Sequence, residues 1–191
     1  EVAGRSIADG FSWGVEVIAG RSGGVLLHEV FGHAERDPDR PLLRDSLFDV
    51  ASVTKAVATA SACAACVDVG LLDPGAPARD YLPDLHPEAG AVRIRDLATH
   101  TSGYDNSKPY HHGTPAGEAF RRAALAAPPA REPGAAYEYS CLNFILLGFA
   151  VEAVTGEPLD RFCRRRLFTP LGMDETRFGP VRVPRRRLVK V

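Results

Sequence analysis

Lysine is nearly missing from this chain: of 23 basic residues only Lys55, Lys108 and Lys190 are lysine. Neither charge sign dominates, because 24 acidic residues balance the basic ones and leave a net charge of −1. Such a chain offers neither the basic field that attracts nucleic acid nor a polybasic membrane face. Cysteine is sparse, with Cys63, Cys66, Cys141 and Cys163 in 191 residues. That spacing excludes the disulfide framework of a small secreted domain. Cys63 and Cys66 have the spacing of a redox pair. They fall deep inside an alanine-rich run rather than at its start, which favours two small core residues. No apolar run is long enough to span a bilayer, and no internal repeat or leader-like segment is visible. The expected location is therefore cytoplasmic, although Glu1 stands where an initiating methionine would, which also fits a leader removed earlier.

What is present is enough for one domain, or one and a fraction. Hydrophobic residues make up 45% of the sequence, sufficient for a sizeable core. In a chain so poor in lysine, Lys55 is informative. It lies three residues after Ser52, and Ala56, Ala58, Ala60, Ala62, Ala64 and Ala65 follow. The alanines favour helix, and residues three apart on a helix share a face. A serine hydroxyl needs a base to become a nucleophile, and a neutral lysine amine one turn away can supply it. At a helix start, the Ser52 N–H is an unpaired donor at the positive end of the dipole, facing any oxyanion formed there. With 9 serines and three lysines, roughly 0.14 such pairs arise by accident. On spacing alone, an N-cap serine followed by an exposed lysine explains the pair equally well.

The alternation over residues 13–18 and the run Val25 to Phe31 predict a hairpin across Arg21-Ser22-Gly23-Gly24. The helix from about Ser52 should end near Gly70, a suitable residue for left-handed termination. A proline-punctuated connector, Leu71 to Leu85, precedes a short helix from Ile94 that stops at His100-Thr101-Ser102-Gly103. Residues 104–114 read as a polar, aromatic loop. Its adjacent His111 and His112 diverge and lack a third ligand, so a solvated loop explains them better than zinc. Thr114-Pro115 predicts a helix start. Leu142 to Thr155 reads as an apolar helix closed by Gly156, and a further helix spans about 158–167, its Arg164-Arg165-Arg166 a solvated face. Tyr139 lies just before the Leu142 helix. A tyrosine near a Ser/Lys pair can act as a phenolate base; a tyrosine packed at a helix start explains it as well.

Taken together, these stretches resemble the serine β-lactamase-like hydrolases: class C β-lactamases, D-alanyl-D-alanine carboxypeptidases and family VIII esterases. Leu47 to Lys55 resembles their nucleophile motif, and Ile94 to Gly103 their loop after the first helix. Pro133-Gly134 through Tyr139-Ser140 and Asn143 to Gly148 is similar to their tyrosine motif, and Pro170 to Met173 with Thr176 to Phe178 to the following segment. The resemblance implies an α/β (α+β) fold of the β-lactamase/transpeptidase type. Its expected form is truncated: an N-terminal β-hairpin plus helical subdomain over residues 1–179, the later sheet strands missing, and a basic tail over 180–191. It also implies Ser52 as the acylated nucleophile, Lys55 and Tyr139 as proton carriers, and a small-molecule ester or amide substrate. It implies no cofactor, metal, nucleic acid or membrane partner. Cys141 and Tyr104 are the candidate substrate contacts.

Two departures matter. Many of these proteins have asparagine where Cys141 stands, and a thiol cannot replace its amide; this leans toward ester hydrolysis. No Lys/His-x-Gly motif follows Phe178, so the second oxyanion donor is not found and the chain itself is expected to be an impaired catalyst. The alternatives are a β-lactamase or D-amino-acid carboxypeptidase, or, in another class, a non-catalytic remnant or binding module.

Overall fold

The computed structural model describes residues 1–106 and 117–190. The expected loop residues Tyr110, His111 and His112 and the helix start at Thr114-Pro115 lie outside the described residues. The chain forms two compact units: Glu1–Ala51 with the chain from Gly179 onward, and Ser52–Phe178.

In the first unit, helix α1 (Val2–Ala8) precedes strands β1 (Gly14–Arg21), β2 (Gly24–Arg36) and β3 (Asp39–Pro41). They pair in antiparallel order β1-β2-β3. The expected hairpin is present, with Val15 opposite Phe31 and Arg21 opposite Gly24. It belongs to a three-stranded sheet, however. Strand β2 continues past Phe31 to Arg36, and its far half pairs with β3. A three-residue strand that follows Pro38 and ends on Pro41 carries no legible alternation, which is why β3 escapes sequence reading. Helix α1 escapes it too, being seven residues long with none buried.

The basic segment 185–190 is held against this sheet. Leu188 bridges Leu47 in parallel, the Lys190 N–H donates to the Ala34 carbonyl at 2.9 Å, and Arg40 donates to the carbonyls of Arg185 and Leu188. Glu35, 2% exposed, receives Arg40, Arg185 and Lys190 at 3.1, 3.1 and 3.4 Å. Burial opposes its ionisation, but these three cations outweigh burial and hold its carboxyl below the usual range.

The second unit is helical. A π-helical turn, Lys55–Ala60, runs into α2 (Ser61–Asp68). Gly70 ends it at φ +74°: its N–H returns to the Val67 carbonyl, and that of Leu71 returns to Cys66. This is a Schellman closure that needs a residue without Cβ strain. Helix α3 (Ile94–Ala98), α4 (Glu118–Leu125), α5 (Cys141–Thr155) and α6 (Leu159–Cys163, continued by a π-helical turn to Phe168) follow. Helix α5 is apolar all round because it is central. Leu142, Leu146, Leu147, Ala150 and Val151 are buried, and Gly156 closes it at φ +70°. Each such leucine contributes about 2 kcal/mol of burial.

Cys63 and Cys66 lie in this core as free thiols, as the alanine-rich setting predicts. Burial, and then the neighbouring Cys66 and Cys163, push the Cys63 thiol up to about 12, which keeps it protonated and inert. Among the described residues, no single helix is long and apolar enough to cross a membrane.

Candidate active site

A tight turn precedes Ser52 in the chain. The Asp49 carboxylate accepts the Ala51 N–H at 2.8 Å, and Ala51 takes φ +43°, a conformation uncommon outside glycine. The helical run begins immediately after Ser52, whose carbonyl accepts the Lys55 N–H at 3.0 Å. Lys55 opens the π-helical turn, a widened geometry frequent at functional sites.

From the other side of the site comes the start of α5. Ser140 caps this helix: its hydroxyl accepts the Leu142 N–H at 3.3 Å and donates to the Asp105 carbonyl at 2.7 Å. Capping fixes the residue just before it, and Tyr139 reaches Ser52 with 2.7 Å between the two hydroxyl oxygens. Lys55 Nζ donates to Ser52 Oγ at 3.1 Å and sits 5.0 Å from the centre of the Tyr139 ring. Lys55 Nζ also lies 3.6 Å from Cys141 Sγ. The structure thus brings Ser52, Lys55, Tyr139 and Cys141 together. Chemically, the serine hydroxyl has two proton acceptors in reach, and each can pass a proton to the other across the same oxygen. Tyr104 is not part of this group. Its side chain is in the core of the unit, 1% exposed.

Behind Tyr139 lies a line of polar groups that sequence reasoning did not single out. Buried Ser102 donates to Asn143 Oδ1 at 2.5 Å. The Asn143 amide nitrogen then faces His100 Nδ1 at 3.0 Å, and the Ser140 N–H donates to the same ring nitrogen at 3.2 Å. The His100 ring lies 4.7 Å from the Tyr139 ring and 5.2 Å from Phe144. Burial, and then the Lys55 charge, hold the His100 imidazole below its ordinary value. The Thr-His-Thr-Ser-Gly stretch was the available signal, but its partners are some 40 residues away.

Beside Lys55 and Cys141 opens a cavity of about 300 Å³, lined mainly by Phe120, Phe144, Ile145, Phe149 and Leu159. Among the described residues, no three His, Cys, Asp or Glu side chains cluster as metal ligands.

The Beta-lactamase family model matches residues 6–191 of this chain. A protein of Escherichia coli strain K12 that carries the name D-alanyl-D-alanine carboxypeptidase is 32% identical over 150 residues; the match covers 71% of this chain and 35% of that protein. Among solved structures, EstCE1, described as a hydrolase with promiscuous acyltransferase activity, superimposes with a TM-score of 0.81 at 26% identity; it covers 98% of this chain and 54% of EstCE1. The D-amino acid amidase of Ochrobactrum anthropi SV3 gives a TM-score of 0.81 at 28% identity and the same two coverages. The chain therefore spans between about a third and about half of the length of these relatives.

Proposed function

The chain belongs to the Beta-lactamase family, and from that premise we propose that it carries the acylating machinery of a serine hydrolase that prefers esters. The observation that carries this reading is the convergence of Tyr139 and Lys55 on Ser52 Oγ, at 2.7 and 3.1 Å. Ser52 Oγ attacks the substrate carbonyl while its proton passes to whichever of Lys55 and Tyr139 is in its base form. The Ser52 N–H, at the positive end of the helix, faces the oxyanion. Collapse of the tetrahedral adduct breaks the carbonyl–oxygen bond, and the leaving alkoxide takes the held proton. Water then attacks the acyl-serine, with the same pair as its base. The apolar cavity beside Lys55 and Cys141 suits a hydrophobic acyl group.

The ester preference rests on Cys141. Names of relatives, a carboxypeptidase and an amidase, support an amide or peptide reading. A thiol at this place lacks the paired donor and acceptor of a side-chain amide, so an acylamino substrate loses a hydrogen-bonded anchor. The second oxyanion donor is not identified in this sequence. Removing one such donor lowers kcat by on the order of 10²–10³, so we expect slow turnover by the 191-residue chain itself. The test compares short-chain aryl esters with a chromogenic cephalosporin. Aryl esters should give the higher kcat/KM, and Cys141→Asn should narrow the gap. Equal kcat/KM for the two substrates overturns the preference. Undiminished hydrolysis in Ser52→Ala would instead point to a binding module with contaminating activity.

A further inference from the structure

His100 contacts three consecutive residues of the tyrosine segment. Its carbonyl accepts the Glu138 N–H at 2.8 Å, its ring lies 4.7 Å from that of Tyr139, and its Nδ1 accepts the Ser140 N–H at 3.2 Å. The backbone makes this double use possible. His100 takes φ +58°, a left-handed conformation in which histidine is found more often than most residues, and its carbonyl and its ring meet the same neighbouring stretch. The proton count on the ring is fixed by its surroundings. Buried Ser102 donates to Asn143 Oδ1, which leaves the amide nitrogen to face His100 Nδ1 at 3.0 Å. A backbone N–H and an amide N–H thus both point at Nδ1, so that nitrogen carries no proton and the neutral ring is protonated on Nε2.

We propose that His100 is a positioning residue that sets the Tyr139 hydroxyl against Ser52, and that it does so only while Nδ1 is unprotonated. The inference rests on the reading of Tyr139 as a proton carrier. A proton on Nδ1 would place a donor against two donors, release the Ser140 N–H, and loosen the segment that holds Tyr139. Buried donors left unpaired are costly, and a catalytic group displaced by about 1 Å can lose roughly 10²-fold in rate. The charged and titratable groups around the ring are Lys55 on the π-helical turn and Tyr137 and Tyr139 on the segment before α5; α5 itself presents Asn143 and Phe144, neither of which titrates. Glu138, whose N–H meets the His100 carbonyl, is paired with Arg131. Lys55 and burial both oppose a charged ring, so the neutral form holds at neutral pH and the device fails on the acid side.

The experiment measures single-turnover labelling of Ser52 by a fluorophosphonate in the 191-residue chain against pH, with ¹⁵N imidazole shifts of His100 recorded in parallel. The wild-type labelling rate should fall as pH drops through the His100 titration seen by NMR, and the neutral ring should show the Nε2–H tautomer. His100→Phe keeps an aromatic ring but no acceptor, and should label about 10²-fold more slowly. His100→Asn should recover most of that loss and lack the step in rate that tracks the His100 titration, because its Oδ1 stands where Nδ1 stood, cannot be protonated at these pH values, and asparagine tolerates positive φ. An Nδ1–H tautomer, a His100→Phe that labels at the wild-type rate, or a step retained in His100→Asn at the pH of the wild-type His100 titration overturns the proposal. Where His100→Phe does not fold, the comparison of wild type with His100→Asn decides. Tyr139→Phe labelling at the wild-type rate would instead defeat the role of Tyr139, a failure distinct from that of His100.

Discussion

Two proton acceptors on one serine oxygen are the residue-scale feature on which the chemistry depends. Lys55 is one helical turn from Ser52, so spacing marks the pair as a candidate but explains an N-cap serine beside an exposed lysine equally well. Tyr139 arrives from 87 residues away, and only the resemblance of its whole motif pointed to it. If both carry the Ser52 proton, removing either should be expensive. Lys55→Ala and Tyr139→Phe should each slow acylation by about 10²–10⁴-fold, the usual contribution of a positioned acid or base. Pre-steady-state labelling rates check this, and a change below about tenfold in either variant contradicts the role assigned to it. His100 and Asn143 were not legible as a pair. Nothing local in the sequence says that a ring nitrogen at 100 meets an amide at 143, because that contact exists only once α3 and α5 are packed. Tyr104 shows the opposite case: the resemblance makes it a candidate substrate contact, yet its ring is buried in the core.

Helices with strong punctuation were read well, and short elements without it were not. Helix α5 has a serine cap, an unbroken apolar run and a closing glycine, and its ends were placed within one residue. Strand β3 and helix α1 have no such signals, and tertiary pairing alone defines β3. The π-helical turn at Lys55–Ala60 was invisible, since one extra residue per turn leaves the alanine pattern unchanged. Helix α5 also supports the site mechanically, because Ser140 and Cys141 form its start while its middle is buried. Leu146 is fully buried there. Leu146→Ala should cost about 2–5 kcal/mol through lost burial and the cavity left behind. Chemical denaturation should show that loss as a lower midpoint. A cost below about 1 kcal/mol would mean that α5 is not the central support described here.

At the scale of the whole molecule, family and fold class were legible because four separated motifs occur in the right order, a pattern that survives low identity. Composition predicts a basic tail over 180–191. In the structure Arg185 pairs with Glu35, Arg186 and Arg187 pair with Asp45, and the backbone of this segment joins Leu47 and Ala34. Charge alone does not reveal such docking, because a buried carboxylate at position 35 cannot be told from an exposed one in the sequence. The central claim concerns Ser52, one of nine serines in the chain, and intact mass after fluorophosphonate treatment tests it most directly. The account predicts a single adduct, mapped by peptide sequencing to Ser52 and absent from Ser52→Ala. An adduct on another serine, or undiminished labelling of Ser52→Ala, would contradict it.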